Sequence, residues 1–367
     1  MTIQPLRALR TMTLALTLAA AGAGQAAAAI LYTITELPAS QAGGSSVGYR
    51  INSSGTVLGF DSGHAALFAG GGVTDLSPLA GPSGLVRGLN DAGYVVGYGL
   101  GAGGGVRGFQ TDATGLIPLP SLGYRVDAPV DMNNAGVAAG SMITLQGHEH
   151  AAIWTSSSVL DFGVMPGQRN ARAVAINNLG QVAGNSGPRG FTWTAAGGFV
   201  DIGTLGGATT VTDINDNGWV TGLSELVPGG ATSAFIYNGA TMSAFGPIGK
   251  VTPFLSTQPW AINRDGVAVG VSQRDDRWFT AFVRRDGETL ELQTLIDPAL
   301  GWELAAAYDI NDAGQITGAG YVNGRQSAFI LTPIKTTGAV PEPGAWALMI
   351  LGFGAAGASL RRRPVAA

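Results

Sequence analysis

The chain of 367 residues has no cysteine and only three histidines. Thiol catalysis and disulfide stapling are excluded, and a zinc site would lack most of its usual ligands. Charge is scarce too. Asp, Glu, Lys and Arg make up 12%, against about 25% in an average domain, so long helices laced by charge ladders are not expected. The 20 basic and 24 acidic residues leave a slightly acidic chain with no electrostatic footprint for nucleic acid. What is plentiful is glycine, 58 residues, which points to a turn-rich, β-rich fold.

Long apolar runs occur only at the two ends. "MTIQPLRALRTMTLALTLAAAGAGQAAAA" places Arg7 and Arg10 before an apolar run from Met12 to Ala21, with Ala-x-Ala patterns within Ala26 to Ala29. This is the anatomy of a secretory signal peptide over residues 1–29. At the other end, Gly344 to Leu360 is a run of 17 uncharged residues. As a helix it would measure about 25 Å, just enough to span a bilayer. Arg361, Arg362 and Arg363 follow and would mark the cytoplasmic side. The end segments hold five arginines and one glutamate, so the exported body keeps 15 basic and 23 acidic residues.

Pro341-Glu342-Pro343, Trp346-Ala347, the apolar run and the three arginines stand in the order of the PEP-CTERM sorting signal, which this tail resembles. The resemblance implies a Gram-negative exported protein. A membrane enzyme of the exosortase type would recognise it, cut near Pro-Glu-Pro and release it to the cell surface or exopolysaccharide matrix. The helix would then be a transient anchor in the inner membrane. Two prolines keep the Pro-Glu-Pro element out of any helix and open to an enzyme.

Between the ends, one phrase recurs seven times: "INSSGTVLG", "LNDAGYVVG", "MNNAGVAAG", "INNLGQVAG", "INDNGWVTG", "INRDGVAVG" and "INDAGQITG". Its asparagines are Asn52, Asn90, Asn133, Asn177, Asn215, Asn263 and Asn311, spaced 38 to 48 residues apart. Each reads as strand, Asn turn, left-handed Gly, strand. A short apolar segment follows, such as "HAALF", "RGFTW" or "SAFIL", and a further one after a Gly-containing turn. The pattern is similar to the HAF repeat of exported bacterial proteins, with the His-Ala-Phe triplet degraded.

Four strands in roughly 45 residues, seven times over, predict an all-β fold, a seven-bladed β-propeller. The last unit lacks a fourth strand and "LYTITELP", residues 31–38, precedes the first as a spare. If it fills the vacancy, it closes the ring and leaves no edge. The expected organisation is a signal peptide over 1–29, the propeller over 30–335, a linker with the Pro-Glu-Pro motif over 336–343, and the membrane helix with its basic tail over 344–367.

Other motifs weigh less. "DINDNG" offers Asp213, Asn215 and Asn217 in the manner of half a calcium loop, without the closing carboxylate; Asn-turn chemistry accounts for them. "GHEH" pairs His148 and His150 without further zinc ligands. "GSSVG" around Ser46 lacks the strand-turn-helix setting of a nucleophile elbow. Trp154 and Trp193 share one repeat position and are expected to pack between blades. In "QRDDRW", Arg274, Asp275, Asp276, Arg277 and Trp278 could stack on and hydrogen-bond a sugar, or could pair among themselves in solvent.

The long, varied loops between second and third strands share one face, the expected binding surface. The expected function is a non-catalytic, matrix- or surface-associated binder of exopolysaccharide or a surface protein, with no cofactor. The alternative is a glycan-acting enzyme with two carboxylates at the channel mouth, some 5 to 10 Å apart. A structure showing a buried carboxylate pair in the channel would reverse the preference for a binder.

Overall fold

A computed structural model of the protein describes residues 31–80, 84–101, 103–248, 257–273 and 279–334. The expected signal peptide, the sorting segment with Pro341 to Arg363, and the Arg274 to Trp278 cluster all lie outside these residues.

The described residues are almost entirely β. After β1 (Tyr32–Leu37) come four-stranded units in chain order. The first holds β2 (Ser46–Ile51), β3 (Val57–Asp61), β4 (His64–Ala69) and β5 (Gly72–Asp75). The second holds β6 (Leu85–Leu89), β7 (Val95–Leu100), β8 (Val106–Asp112) and β9 (Gly115–Pro118). The third holds β10 (Val126–Met132), β11 (Ala138–Ile143), β12 (Glu149–Trp154) and β13 (Val159–Gly163). The fourth holds β14 (Ala171–Ile176), β15 (Val182–Ser186), β16 (Arg189–Thr194) and β17 (Gly198–Asp201). The fifth holds β18 (Thr209–Ile214), β19 (Val220–Glu225), β20 (Thr232–Tyr237) and β21 (Met242–Phe245). The sixth holds β22 (Thr257–Ile262), β23 (Ala268–Gln273), β24 (Phe279–Arg285) and β25 (Glu288–Glu291). The last three strands are β26 (Trp302–Ile310), β27 (Ile316–Val322) and β28 (Arg325–Pro333).

Each unit is an antiparallel meander. The second and third are joined through a parallel bridge between Val106 and Val126. β1 pairs antiparallel with β28, from Tyr32 opposite Pro333 to Leu37 opposite Ala328, and supplies the fourth strand of the last sheet. The first strands of successive sheets touch in order, β2 to β6, β6 to β10 and onward to β26, which touches β2.

The repeated phrase maps onto one local structure. In "INDNGWVTG", Ile214 ends the inner strand and is buried. Gly218 turns the chain at φ +74°, a left-handed backbone that costs glycine least. Gly222 stands opposite Phe235 of the third strand. A Cβ there would run into the Thr210 carbonyl oxygen and the Phe235 ring. The same cross-strand pairing recurs as Gly97 with Phe109, Gly184 with Phe191, Gly270 with Phe282 and Gly318 with Phe329. In these five sheets the closing glycine makes room for a buried ring, whereas Gly59 and Gly140 stand opposite Ala66 and Ala152. Apolar side chains of neighbouring sheets meet between them, as Val86, Val95 and Phe109 do with Leu58 and Ala65. Trp154 is fully buried among Leu119, Met132 and Met142, and Trp193 stacks on Phe162 at 4.1 Å.

Candidate functional site

Antiparallel strands sort the connections onto two faces. The Asn turns and the turns after each third strand lie on one, called here the Asn-turn face. The longer connections lie on the other.

On the Asn-turn face the seven asparagines link side chain to backbone. Asn52 Nδ2 donates to the Asn90 carbonyl at 3.1 Å, Asn90 to Asn133 at 3.5 Å, and Asn133 to Asn177 at 3.1 Å. Asn177 donates to Asn215 at 2.9 Å, Asn215 to Asn263 at 2.7 Å, and Asn263 to Asn311 at 3.3 Å. Asn311 donates to Asn52 at 2.9 Å. The Oδ1 atoms serve their own turns, as Asn133 Oδ1 does in accepting from the N–H groups of Ala135 and Val137. All seven are buried. Asparagine carries its acceptor and its donors on separate atoms of one short side chain, so one serves its own turn and the other its neighbour.

A second set of bonds lies outside the first. The N–H groups of Ser53, Asp91, Asn134 and Asn178 donate to the side chains of Asp91, Asn134, Asn178 and Asp216 at 2.8 to 2.9 Å. Arg264 bridges Asp216 and Asp312 at 3.0 Å each. The mouth framed by these turns encloses about 190 Å³ and is lined by residues of all seven turns and by Asp309.

Beneath the mouth every inner strand carries a β-bulge at the same place. The bulged residues are Tyr49, Arg87, Val130, Val174, Thr212, Trp260 and Tyr308. Bulges re-aim the side chains around them. Tyr49 and Tyr308 lie 4.7 Å apart, and Trp260 lies 6.3 Å from Tyr308, an aromatic arc drawn from three sheets.

The residue after each bulge is Arg50, Gly88, Asp131, Ala175, Asp213, Ala261 or Asp309. Each aspartate accepts an N–H from the next unit: Asp131 from Ile176 at 2.9 Å, Asp213 from Ile262 at 2.8 Å, and Asp309 from Ile51 at 2.8 Å. Burial pushes Asp213 up to about 8, reinforced by the Asp309 charge. Burial also raises Asp309, to about 6, with Arg50 opposing the shift. Burial acts against the Arg50 charge, yet Asp309, Asp131 and Asp213 together hold its pKa above the ordinary value.

The sequence candidates scatter. Asp213 turns to Ile262, Asn215 belongs to the asparagine series, and Asn217 donates to the Arg264 carbonyl at 2.8 Å. They do not converge, and no group of three metal-ligating side chains occurs among the described residues. His150 pairs with Asp161 at 2.9 Å and Glu149 with Arg172 at 3.0 Å, while His148 is exposed. Ser46 is buried and ties β2 to Leu37 and Ala328. Arg50, Asp131, Asp309 and the aromatic arc were not singled out from sequence. Their only signal is position, two or three residues before a repeat asparagine.

On the opposite face, eight large apolar side chains stand exposed: Leu100, Leu122, Leu145, Leu226, Val227, Phe279, Leu300 and Tyr321. Toward the Asn-turn face, Leu116, Leu160, Leu179, Val200 and Ile334 are exposed as well.

Residues 339–363 match the PEP-CTERM protein-sorting motif. The match marks an exported protein whose sorting is membrane-associated and runs through an exosortase. No helix among the described residues is long and apolar enough to cross a membrane. No curated protein matches the chain. Among solved structures, the fold is similar to a catalytically inactive virginiamycin B lyase from Staphylococcus aureus determined with quinupristin. The two are 11% identical, with a TM-score of 0.51 over 83% of this chain and all of the other. Looser likenesses include TolB from Acinetobacter baumannii (9% identity, TM-score 0.42, 80% of this chain and 64% of that one). A gluconolactonase from Xanthomonas campestris is 12% identical, with a TM-score of 0.41 over 84% of this chain and 92% of that one. The first of these likenesses, with the strand pairing itself, supports an all-β, propeller-like fold; none of them assigns an activity to this chain.

Proposed function

We propose that the protein is an exported, non-catalytic seven-bladed propeller of the HAF-repeat kind, closed by β1. Its long-loop face would bind exopolysaccharide or a surface protein outside the cell. The observation that carries this reading is the set of exposed apolar side chains on and beside the long loops. Eight lie at the blade ends of the loop face, where a rigid scaffold offers a contact surface.

A second reading, a glycan-acting enzyme, draws on the channel carboxylates. With Asp213 raised to about 8 and Asp309 to about 6, one would be protonated and the other ionised near neutrality, as an acid and base pair requires. Two features weigh against it. Each carboxylate already accepts an N–H from the next blade. The mouth also holds about 190 Å³ and is lined by Asp309 but not Asp213, whereas ligand clefts usually measure about 300 to 1,000 Å³.

The test is to mix residues 30–338 with exopolysaccharide from the producing organism and follow co-sedimentation and polymer length together. Co-sedimentation at unchanged length supports the binder. Shortened polymer supports the enzyme, and its loss in Asp213→Asn would assign the acid. Neither binding nor shortening removes the glycan and leaves a surface protein as the partner to seek.

A further inference from the structure

The chain leaves the fold at a defined place. β28 runs toward the Asn-turn face. Leu331 near its end pairs with Ile316, just past the Asn311 turn, and Gln315 donates to Thr332 Oγ1 at 3.3 Å. The Ile334 N–H then bonds the Leu31 carbonyl at 2.8 Å. Entry and exit therefore lie side by side on the Asn-turn face, beside the seventh turn. The loop face lies at the far ends of the same strands.

Nine residues, 335–343, separate Ile334 from the uncharged run that begins at Gly344. Fully extended they reach at most about 30 Å. β28 alone is nine residues, about 30 Å of strand. Bringing the loop face to the bilayer would require the tether pulled straight along a whole blade. The Asn-turn face is within reach in any tether conformation.

We infer that, while the sorting anchor is in place, the protein is held with its Asn-turn face and channel mouth toward the bilayer and its loop face outward. The inference rests on the membrane-associated sorting read from residues 339–363. It has a consequence for binding. A polymer or protein arriving from outside meets the apolar side chains of the loop face first. The polar mouth faces lipid headgroups until the tail is cut.

The chain's lack of cysteine makes a direct test simple. Single cysteines are introduced into the full-length protein at Ser54→Cys and Ala313→Cys on the Asn-turn face, and at Gln146→Cys and Ala231→Cys on the loop face. Each variant is expressed in a Gram-negative host without the processing enzyme, labelled with a donor dye in isolated membranes, and read against a headgroup-labelled lipid acceptor. Energy transfer is expected to be at least twofold greater from the first two positions. Equal or reversed transfer in a membrane-bound chain overturns the orientation alone. A chain absent from the membrane fraction overturns the anchoring beneath it, and the orientation falls for that separate reason. Inserting thirty Gly and Ser residues after Thr336 should erase the difference while membrane retention persists. A difference that survives the insertion overturns the tether as its cause.

Discussion

Asn311 donates its side-chain amide to the backbone carbonyl of Asn52 at 2.9 Å, across 259 residues of sequence. Six further bonds of the same kind run between turns 38 to 48 residues apart. Each joins a buried donor to a buried carbonyl, so losing one leaves a polar group without a partner, at about 1 to 3 kcal/mol. Asn177→Ala also removes the acceptor for Leu179 and Gln181 N–H. We expect it to lower stability by at least about 2 kcal/mol in urea unfolding. Leu179→Ala, at a side chain 78% exposed in the same turn, should stay within about 0.5 kcal/mol of wild type. Equal effects would mean that neither the turn bonds nor the link to the next unit carries a measurable cost.

The two glycines of each repeat should respond differently. Gly180 turns at φ +75° with open space around it, so Gly180→Ala is expected to cost about 1 kcal/mol for its backbone. Gly184 faces the Arg172 carbonyl and the Phe191 ring. There, Gly184→Ala forces the strand pair apart and should cost about 3 kcal/mol or more. The double variant Gly184→Ala with Phe191→Leu should recover part of that loss, because it removes the ring but not the carbonyl.

Much of this was readable beforehand, and the limits have a physical cause. Period, turn chemistry and four strands per unit follow from local features: Asn followed by Gly three residues on, and short apolar runs between turns. The spare segment 31–38 could be matched to a missing strand by counting. The partner of Asn52 could not be read, because a hydrogen bond to a turn 38 residues away leaves no trace in either turn. The bulges were hidden for a different reason. At the bulged position the residues are as unlike as Tyr49, Val130 and Thr212, since the bulge is set by backbone geometry and not by a side-chain preference. Asp131 and Asp309 accordingly looked like ordinary strand residues, and Asp213 drew notice only through an apparent calcium pattern.

The strand at the start of the body should act as a seal. β1 meets β28 over six residue pairs, and Glu36 adds bonds to Arg325 at 3.3 Å and Ser327 at 2.8 Å. At about 0.2 to 1 kcal/mol per cross-strand pair, deleting residues 31–37 should lower stability by roughly 2 to 4 kcal/mol and expose the β28 edge to self-association. Light scattering and thermal unfolding measure both effects. A synthetic peptide of residues 31–38 added in trans should restore a monomeric, more stable body. A deletion that stays monomeric with unchanged stability would show that β1 only lies against the sheet.

The channel carboxylates set the pH response. Asp213 has a folded pKa of about 8, against an ordinary 3.8, so the folded state holds a proton that the unfolded chain has released. Its contribution is fully present below about pH 4 and is lost as pH rises through 8. Asp309, at about 6, loses its share earlier, between about pH 4 and 6. Stability from this pair should therefore fall between pH 4 and 8, by at most about 1.4 kcal/mol per pH unit for each group. Asp213→Asn keeps an acceptor for the Ile262 N–H and cannot ionise, so its urea midpoint should change little between pH 6 and 8 while wild type declines. Arg50→Met removes the cation that opposes the Asp309 shift, and should destabilise more at pH 8 than at pH 5. A wild-type profile that Asp213→Asn merely parallels would mean that Asp213 titrates outside this range.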